Sequence, residues 1–173
     1  MAITSIIPPI DRGYTIPEIF VTTDWLAEHI DDPNVRLVDT DTPEQYELGH
    51  IPKAVNPIDH YYKTSPEERI HIQGPEQFEQ TMENLGINDD TTVIGYNRKG
   101  GVYTFRLMWA LHYYGHTNVK ILDGGLEKWV SEGRETTNES FSSACASGSF
   151  TAKVNPEIFA SREYVLDSID DIS

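Results

Sequence analysis

The sequence predicts an α/β domain, and the stretch from Thr92 to Gly125 carries most of that prediction. It reads as an apolar strand, a glycine-containing loop, an amphipathic helix, a second strand and a glycine turn, which together make a strand–helix–strand unit. The loop at 97–101 joins the carboxyl end of a strand to the amino terminus of a helix. This is the usual position of a site in an open α/β sheet.

The elements before this unit alternate in the same way. Residues 1–20 are an irregular lead, and residues 21–26 indicate a brief strand entering a helix with Thr23 as its N-cap. The first core strand is predicted at Val35–Asp39. Thr42 then caps a short helix, which is expected to begin at its proline neighbour and to end at a glycine.

A short extended piece at residues 51–55 is followed by a long loop at 56–73. Loops of this length in compact domains are often functional, but a surface excursion is the simpler interpretation. A helix then starts at Pro75, and apolar residues at spacings of three and four predict its buried face. Gly86 is the expected stop.

Within the central unit, the second core strand is predicted at Thr92–Tyr96 and the third at Val119–Leu122. The helix between them is predicted to bury Phe105, Met108, Trp109, Leu111 and His112. A last helix is expected to end at Gly133.

The composition of the chain argues against some classes of binding partner. The chain has 173 residues, 38% of them hydrophobic, and a formal net charge of -15, which argues against nucleic-acid or anionic-membrane partners. No apolar run of membrane-spanning length and no signal peptide are recognised. The single cysteine, Cys145, lies in a Ser/Ala-rich stretch and is expected to be incidental; one cysteine allows no internal disulfide and favours a cytoplasmic location.

The carboxyl-terminal part predicts the start of another unit. Residues 135–155 have linker composition, and 156–173 resemble a helix capped by Ser161. This segment parallels the helix and Asp-Asp pair at residues 23–32, after which a core strand follows. We interpret it as the first helix of a truncated second domain.

Two segments carry a family resemblance: VDTDTPEQYELGHIPKAV at 38–55, and DDTTVIGYNRKGGVYTFRLMWALHYYGHTNVKILDGGLEKW at 89–129. Over residues 21–134 the chain resembles the rhodanese family of sulfurtransferases. It looks most like the N-terminal, non-catalytic domain of two-domain thiosulfate or 3-mercaptopyruvate sulfurtransferases. The resemblance implies a three-layer fold, with a central parallel sheet flanked by helices on both faces.

The resemblance also implies a catalytic cysteine directly after the second core strand, where this chain has Asn97. In active relatives a thiolate there takes up sulfur as a persulfide, and backbone N–H groups and the helix dipole stabilise the charge. An amide cannot be a sulfur nucleophile, so no catalytic residue is predicted. Two further departures are Asp41, where arginine is frequent, and Lys53, where glycine is frequent.

The candidate cleft or anion-binding residues all lie in or just after this loop. They are Asn97, Arg98, Lys99, Gly100, Gly101, Val102, Tyr103 and Arg106. The basic residues among them lack acidic neighbours in sequence, which favours an anion site, although chance clustering explains them equally well. Tyr103 is expected to help wall a cleft facing a second domain, and Arg106 to pair with Asp39 or Glu44.

The remaining polar residues receive structural interpretations. His50 is expected to tie its loop to the sheet, and His116 to interact with the dipole at the carboxyl end of a helix. Asp39 and Asp123 end core strands and could face a site, but capping or pairing is their expected role. The histidines show no spacing typical of metal ligands, so neither a metal nor a cofactor is predicted.

Three functions are compatible with these sequence features. The first is a non-catalytic domain of a tandem sulfurtransferase, partnered by a second rhodanese domain or by another copy of the chain. The second is a stand-alone module that binds a small sulfur anion such as thiosulfate, or a protein. A phosphatase of the same fold is the weakest, because it needs a cysteine and an arginine where Asn97 and Tyr103 stand.

Overall fold

A computed structural model describes residues 9–57, 72–98, 101–141 and 148–169. Within these ranges, four parallel strands form one sheet in the order β1-β4-β3-β2. The strands are β1 (Phe20–Val21), β2 (Val35–Asp39), β3 (Thr92–Tyr96) and β4 (Val119–Leu122). The three core strands have the predicted limits. The parallel α/β architecture is therefore confirmed.

Six α-helices accompany the sheet in the described ranges. They are α1 (Thr23–His29), α2 (Pro43–Leu48), α3 (Pro75–Asn84), α4 (Val102–Tyr113), α5 (Gly125–Ser131) and α6 (Arg162–Ile169). Thr42 caps α2 as expected, since its Oγ1 accepts a hydrogen bond from Gln45 N. The prediction for α1 was wrong by one residue: Thr22 is the N-cap, and its Oγ1 accepts from Trp25 N at 3.1 Å.

The core lies in two layers, one on each face of the sheet. On one face of the sheet, residues of α3 and α4 pack together with Phe150. On the other face, residues of α1, α2 and α5 pack against one another. Parallel sheets are normally covered on both faces in this way. None of the described helices is both long and apolar enough to cross a membrane.

Of the residues predicted to be buried in α4, Leu111 is buried, Met108, Trp109 and His112 are partly buried, and Phe105 is exposed. Thr104, Leu107 and Leu111 are fully buried, whereas the side chain of Phe105 is 49% exposed. The reason is a close approach to β3 at Gly95. A Cβ at Gly95 would lie 3.1 Å from both Thr104 and Leu107, so this glycine lets the helix settle on the sheet by that face.

The segment at 51–55 extends the sheet beyond β2. Val55 N donates to Leu37 O at 2.9 Å, and Asp39 N donates to Val55 O at 2.8 Å. Lys53 in this segment has φ 66, the left-handed region that glycine occupies without penalty. This backbone conformation explains why glycine is frequent at the same position of the family motif that the chain resembles.

Residues 148–155, inside the predicted linker, lie along the domain. Lys153 N and Asn155 N donate to the carbonyl groups of Tyr114 and Tyr113 at 3.0 and 2.7 Å. The Phe150 side chain is only 4% exposed and belongs to the core. This segment therefore completes one face of the domain.

Candidate functional site

The carboxyl ends of β2, β3 and β4 bring polar residues to one edge of the sheet. Asp39 is the last residue of β2, and Asp41 lies two residues after it. Asn97 directly follows β3, and Asp123 directly follows β4. Each of these four residues is 9% exposed or less. Adjacent parallel strands place these residues side by side, which is where the sequence predicted a site.

Asn97 is held inside the loop between β3 and α4. Its Oδ1 accepts a hydrogen bond from Gly101 N at 2.9 Å, so its amide is bound to the residue that precedes α4. A Cβ at Gly101 would lie 2.4 Å from Asn97 Nδ2, which explains the glycine. The carbonyl oxygen of Asn97 accepts from Leu126 N at 3.0 Å and so ties the loop to α5.

Arg98 is directed toward α2. Its backbone N donates to Asp41 Oδ2 at 2.9 Å, and its Nε lies 3.7 Å from the same oxygen. Its guanidinium also donates to the carbonyl groups of Gln45 and Gly49 at the end of α2. The Arg98 side chain is therefore bound to groups of its own domain.

The other predicted residues are spread over the loop and α4. Val102 begins α4 and is 72% exposed, and Tyr103 next to it is partly exposed. Arg106 lies along a groove with Trp109 and Tyr113. Its pairing with Asp39 or Glu44 stays a prediction. Lys99 and Gly100 lie outside the described residues.

Asp39, for which capping or pairing was the expected role, lies buried at the edge of the site. It is 1% exposed, and its Oδ1 accepts from Asp41 N at 2.9 Å. Burial raises the pKa of Asp39 to about 6, against the opposing effect of the hydrogen bond from Asp41 N–H. Three consecutive polar residues after an apolar strand, Asp39-Thr40-Asp41, were the available signal.

Thr40 joins β2 to β3 and α4 below the loop. Its Oγ1 donates to Tyr96 O at 2.9 Å and lies 2.8 Å from Thr104 Oγ1. All of these groups are buried, so the hydrogen bonds fix the spacing between the strand ends and α4.

Asp123 is paired, one of the two roles expected of it. Both of its carboxylate oxygens accept from the Arg12 guanidinium at 2.8 Å, a bidentate pair that links β4 to the amino-terminal segment. The contact sets Asp123 apart from the Asp39–Asp41 pair.

The two buried histidines have structural surroundings. His50 Nδ1 hydrogen-bonds to Tyr46 O at 2.8 Å, and its ring stacks on Tyr46 at 3.6 Å. Burial lowers the pKa of His116, which favours its neutral form. Among the described residues, no three side chains of the His, Cys, Asp or Glu type cluster as metal ligands would.

The arrangement defines a class of protein: a parallel α/β domain with its site in the loop after a central strand. A family model for the rhodanese-like domain matches residues 22–132. The chain belongs to the rhodanese-like family.

Curated relatives are named for sulfur chemistry. The sulfur carrier protein TtuD of Thermus thermophilus is 41% identical over 128 residues, covering 73% of this chain and 45% of that protein. A putative thiosulfate sulfurtransferase, SseA of Mycobacterium bovis, is 34% identical over 94% of this chain and 54% of its own length. The 3-mercaptopyruvate sulfurtransferase of Escherichia coli is 35% identical over 80% and 52%. The chain thus spans about half the length of the curated relatives it matches.

Solved structures agree on the fold. The crystal structure of SseA from E. coli, a 3-mercaptopyruvate sulfurtransferase, aligns with a TM-score of 0.77 and 33% identity over 88% of this chain and 62% of that one. An anaerobic ergothioneine biosynthesis enzyme from Chlorobium limicola aligns with a TM-score of 0.75 over 91% of this chain and 43% of that one. At 18% identity, this second match is evidence for the fold alone.

Proposed function

We propose that this chain is the non-catalytic rhodanese domain of a two-domain thiosulfate or 3-mercaptopyruvate sulfurtransferase. In this role it shapes the cleft of a second domain that carries the cysteine. The observation that carries the proposal is Asn97, which stands at the end of β3 where the resemblance calls for a thiolate. Its amide is buried and bound to Gly101 N–H.

An amide at this position has no way to take up sulfur. Persulfide formation needs a thiolate that attacks the donor sulfur, and a carboxamide offers neither the nucleophile nor the charge. The chain's one cysteine, Cys145, lies 48 positions further along the sequence, outside this loop.

The loop is bordered by apolar surface, which supports a partner domain. At the start of α4, the side chains of Val102 and Phe105 are 72% and 49% exposed. Exposed apolar groups next to a site are typical of interaction surfaces. The curated relatives are about twice as long as the region that matches this chain, so they have room for such a partner domain.

The stand-alone anion-binding module is less well supported. Two backbone donors of the loop, Arg98 N–H and Gly101 N–H, are bound to Asp41 and Asn97. The Arg98 side chain is engaged with α2. A small anion would have to displace these groups.

The test is sulfur transfer by the chain itself. Purified chain, incubated with thiosulfate and cyanide, is expected to form no thiocyanate above the protein-free rate, and mass spectrometry is expected to detect no persulfide. Turnover that is lost in the Cys145→Ser variant would overturn the proposal. A relative with the family's cysteine, assayed in parallel, verifies the conditions.

A further inference from the structure

Two segments of this chain have related sequences. Residues 17–32 read PEIFVTTDWLAEHIDD and residues 156–171 read PEIFASREYVLDSIDD, and seven of the 16 positions are identical. The match needs no gap, so each residue of the first segment has one counterpart in the second. Repetition of this kind is typical of a structural unit that is used more than once.

The two segments also share their local structure. Each begins with a 3-10 helix over its Pro-Glu-Ile sequence, and the N–H of the phenylalanine that follows donates to the proline carbonyl group. In the first segment, Thr22 Oγ1 accepts from Trp25 N at 3.1 Å, and in the second, Ser161 Oγ accepts from Tyr164 N at 3.0 Å. Helices α1 and α6 therefore start in the same way, from bonds between near neighbours.

The two segments differ in what covers their apolar side chains. In the first, β1 pairs in parallel with β4, and Leu26 of α1 is fully buried in the layer that also contains residues of α5. Its counterpart in α6, Val165, is 47% exposed, and Phe159 and Ile169 are 54% and 68% exposed. The second segment thus has the apolar face of a unit that docks on a sheet, and this face is open to solvent.

The amino end of the second segment is fixed on α4. Asn155 N donates to Tyr113 O at 2.7 Å, and Trp109 Nε1 donates to Ile158 O at 3.4 Å. The ring of Phe159 lies 6.1 Å from the ring of Tyr113. Whatever covers α6 therefore lies next to the first domain.

The partner of this segment has to offer a free sheet edge. In the described part of the chain, the edge of β4 is already paired with β1, so a second copy of this chain offers no free edge of this kind. A parallel sheet without such a unit of its own does offer one. The curated relatives are about twice as long as the matched region, which leaves room for a second sheet.

We propose that residues 156–169 dock on the free edge of a second parallel sheet, as residues 17–30 dock on β4. The partner is a second domain of the same fold. Its strand equivalent to β4 pairs beside Phe159, and its helix equivalent to α5 covers Val165. The inference rests on the proposed function, because it names the surface by which the second domain is attached.

The test supplies a sheet with a free edge. Residues 33–155 of this chain are fused directly after Asp171, so that residues 156–171 precede them as residues 17–32 precede them in the first domain. The appended domain is expected to fold, which urea unfolding measures. The amide hydrogens of residues 162–169 are expected to exchange about tenfold more slowly than in the unfused chain, as measured by mass spectrometry.

A control fusion that appends residues 9–155 contains its own first unit and verifies that a second domain folds at this position. In the 33–155 fusion, Val165→Lys is expected to unfold the appended domain. Asp167→Lys is the matched variant and should leave it folded, because the counterpart Glu28 is exposed in the first domain.

The proposal is overturned if the appended domain folds only with its own first unit, or if the exchange of α6 is unchanged in the folded fusion. Protection of α6 that increases with protein concentration in the unfused chain would indicate a second copy as the partner and would also overturn it. Sulfur transfer by the wild-type chain decides the proposed function separately, so either can fail alone.

Discussion

The Asp39 carboxyl group is almost fully buried at the end of β2, and burial raises its pKa to about 6. In an unfolded chain an aspartate titrates near pH 4. Between these two values the folded state keeps a proton that the unfolded state has lost. The contribution of Asp39 to stability is therefore present at low pH and is lost as the pH rises toward and through about 6.

Asp39→Asn is expected to remove this loss, because an amide does not ionise and its oxygen still accepts from Asp41 N–H. The stability of the variant relative to wild type should grow by roughly 2 kcal/mol between pH 4.5 and pH 7.5. Urea unfolding followed by tryptophan fluorescence measures it. The exposed Asp167→Asn is the control, and a difference that does not change with pH would refute the assignment to Asp39.

At the scale of elements, the β3–α4 loop and the start of α5 hold each other. Asn97 O accepts from Leu126 N at 3.0 Å, and Gly125 is the residue before Leu126. A Cβ at Gly125 would come within 2.2 Å of Asn97 O, and Gly125 has φ +55. Gly125 thus allows α5 to approach the site loop.

Gly125→Ala is expected to destabilise the domain by about 3 kcal/mol or more, because backbone must move in addition to the left-handed strain. Gly133→Ala is the matched control: it has φ +76 and open space around it, and should cost about 1 kcal/mol. Thermal or urea unfolding of both variants separates the clash from the strain. Equal losses would show that the contact with Asn97 O is unimportant.

At the scale of the whole molecule, the segment at 148–155 belongs to the domain because Phe150 fills its core. The ring contacts Phe78 at 5.7 Å between centroids, edge to face, and His116 at 5.8 Å. Phe159, nine residues later, is 54% exposed.

Phe150→Ala is expected to cost about 3 to 4 kcal/mol, because it leaves a cavity between α3 and α4. Phe159→Ala should cost less than about 1 kcal/mol, since most of its surface already contacts water. The free energies of unfolding in urea compare the two. A small loss for Phe150→Ala would mean that the segment only lies on the surface.

Much of the fold could be predicted because its signals are local. The three core strands and the caps at Thr42 and Ser161 were found from short patterns, and the structure confirms them. The prediction that α4 buries Phe105 was wrong, because it rested on the hydrophobicity of that side chain alone. Its exposure depends on how closely the helix approaches Gly95, which no local pattern contains.

The α/β order, the place of the loop and the lack of a thiol at Asn97 follow from residue identity and near neighbours, so they can be predicted from the sequence. The contact of Asp41 with Arg98 N–H, the burial and raised pKa of Asp39, and the place of Phe150 in the core are visible only in the folded chain. These features depend on residues far apart in the chain: Asp41 contacts Arg98, 57 positions later, because parallel β2 and β3 align their carboxyl ends. Strand register and burial bring such pairs together, and local propensity does not encode either.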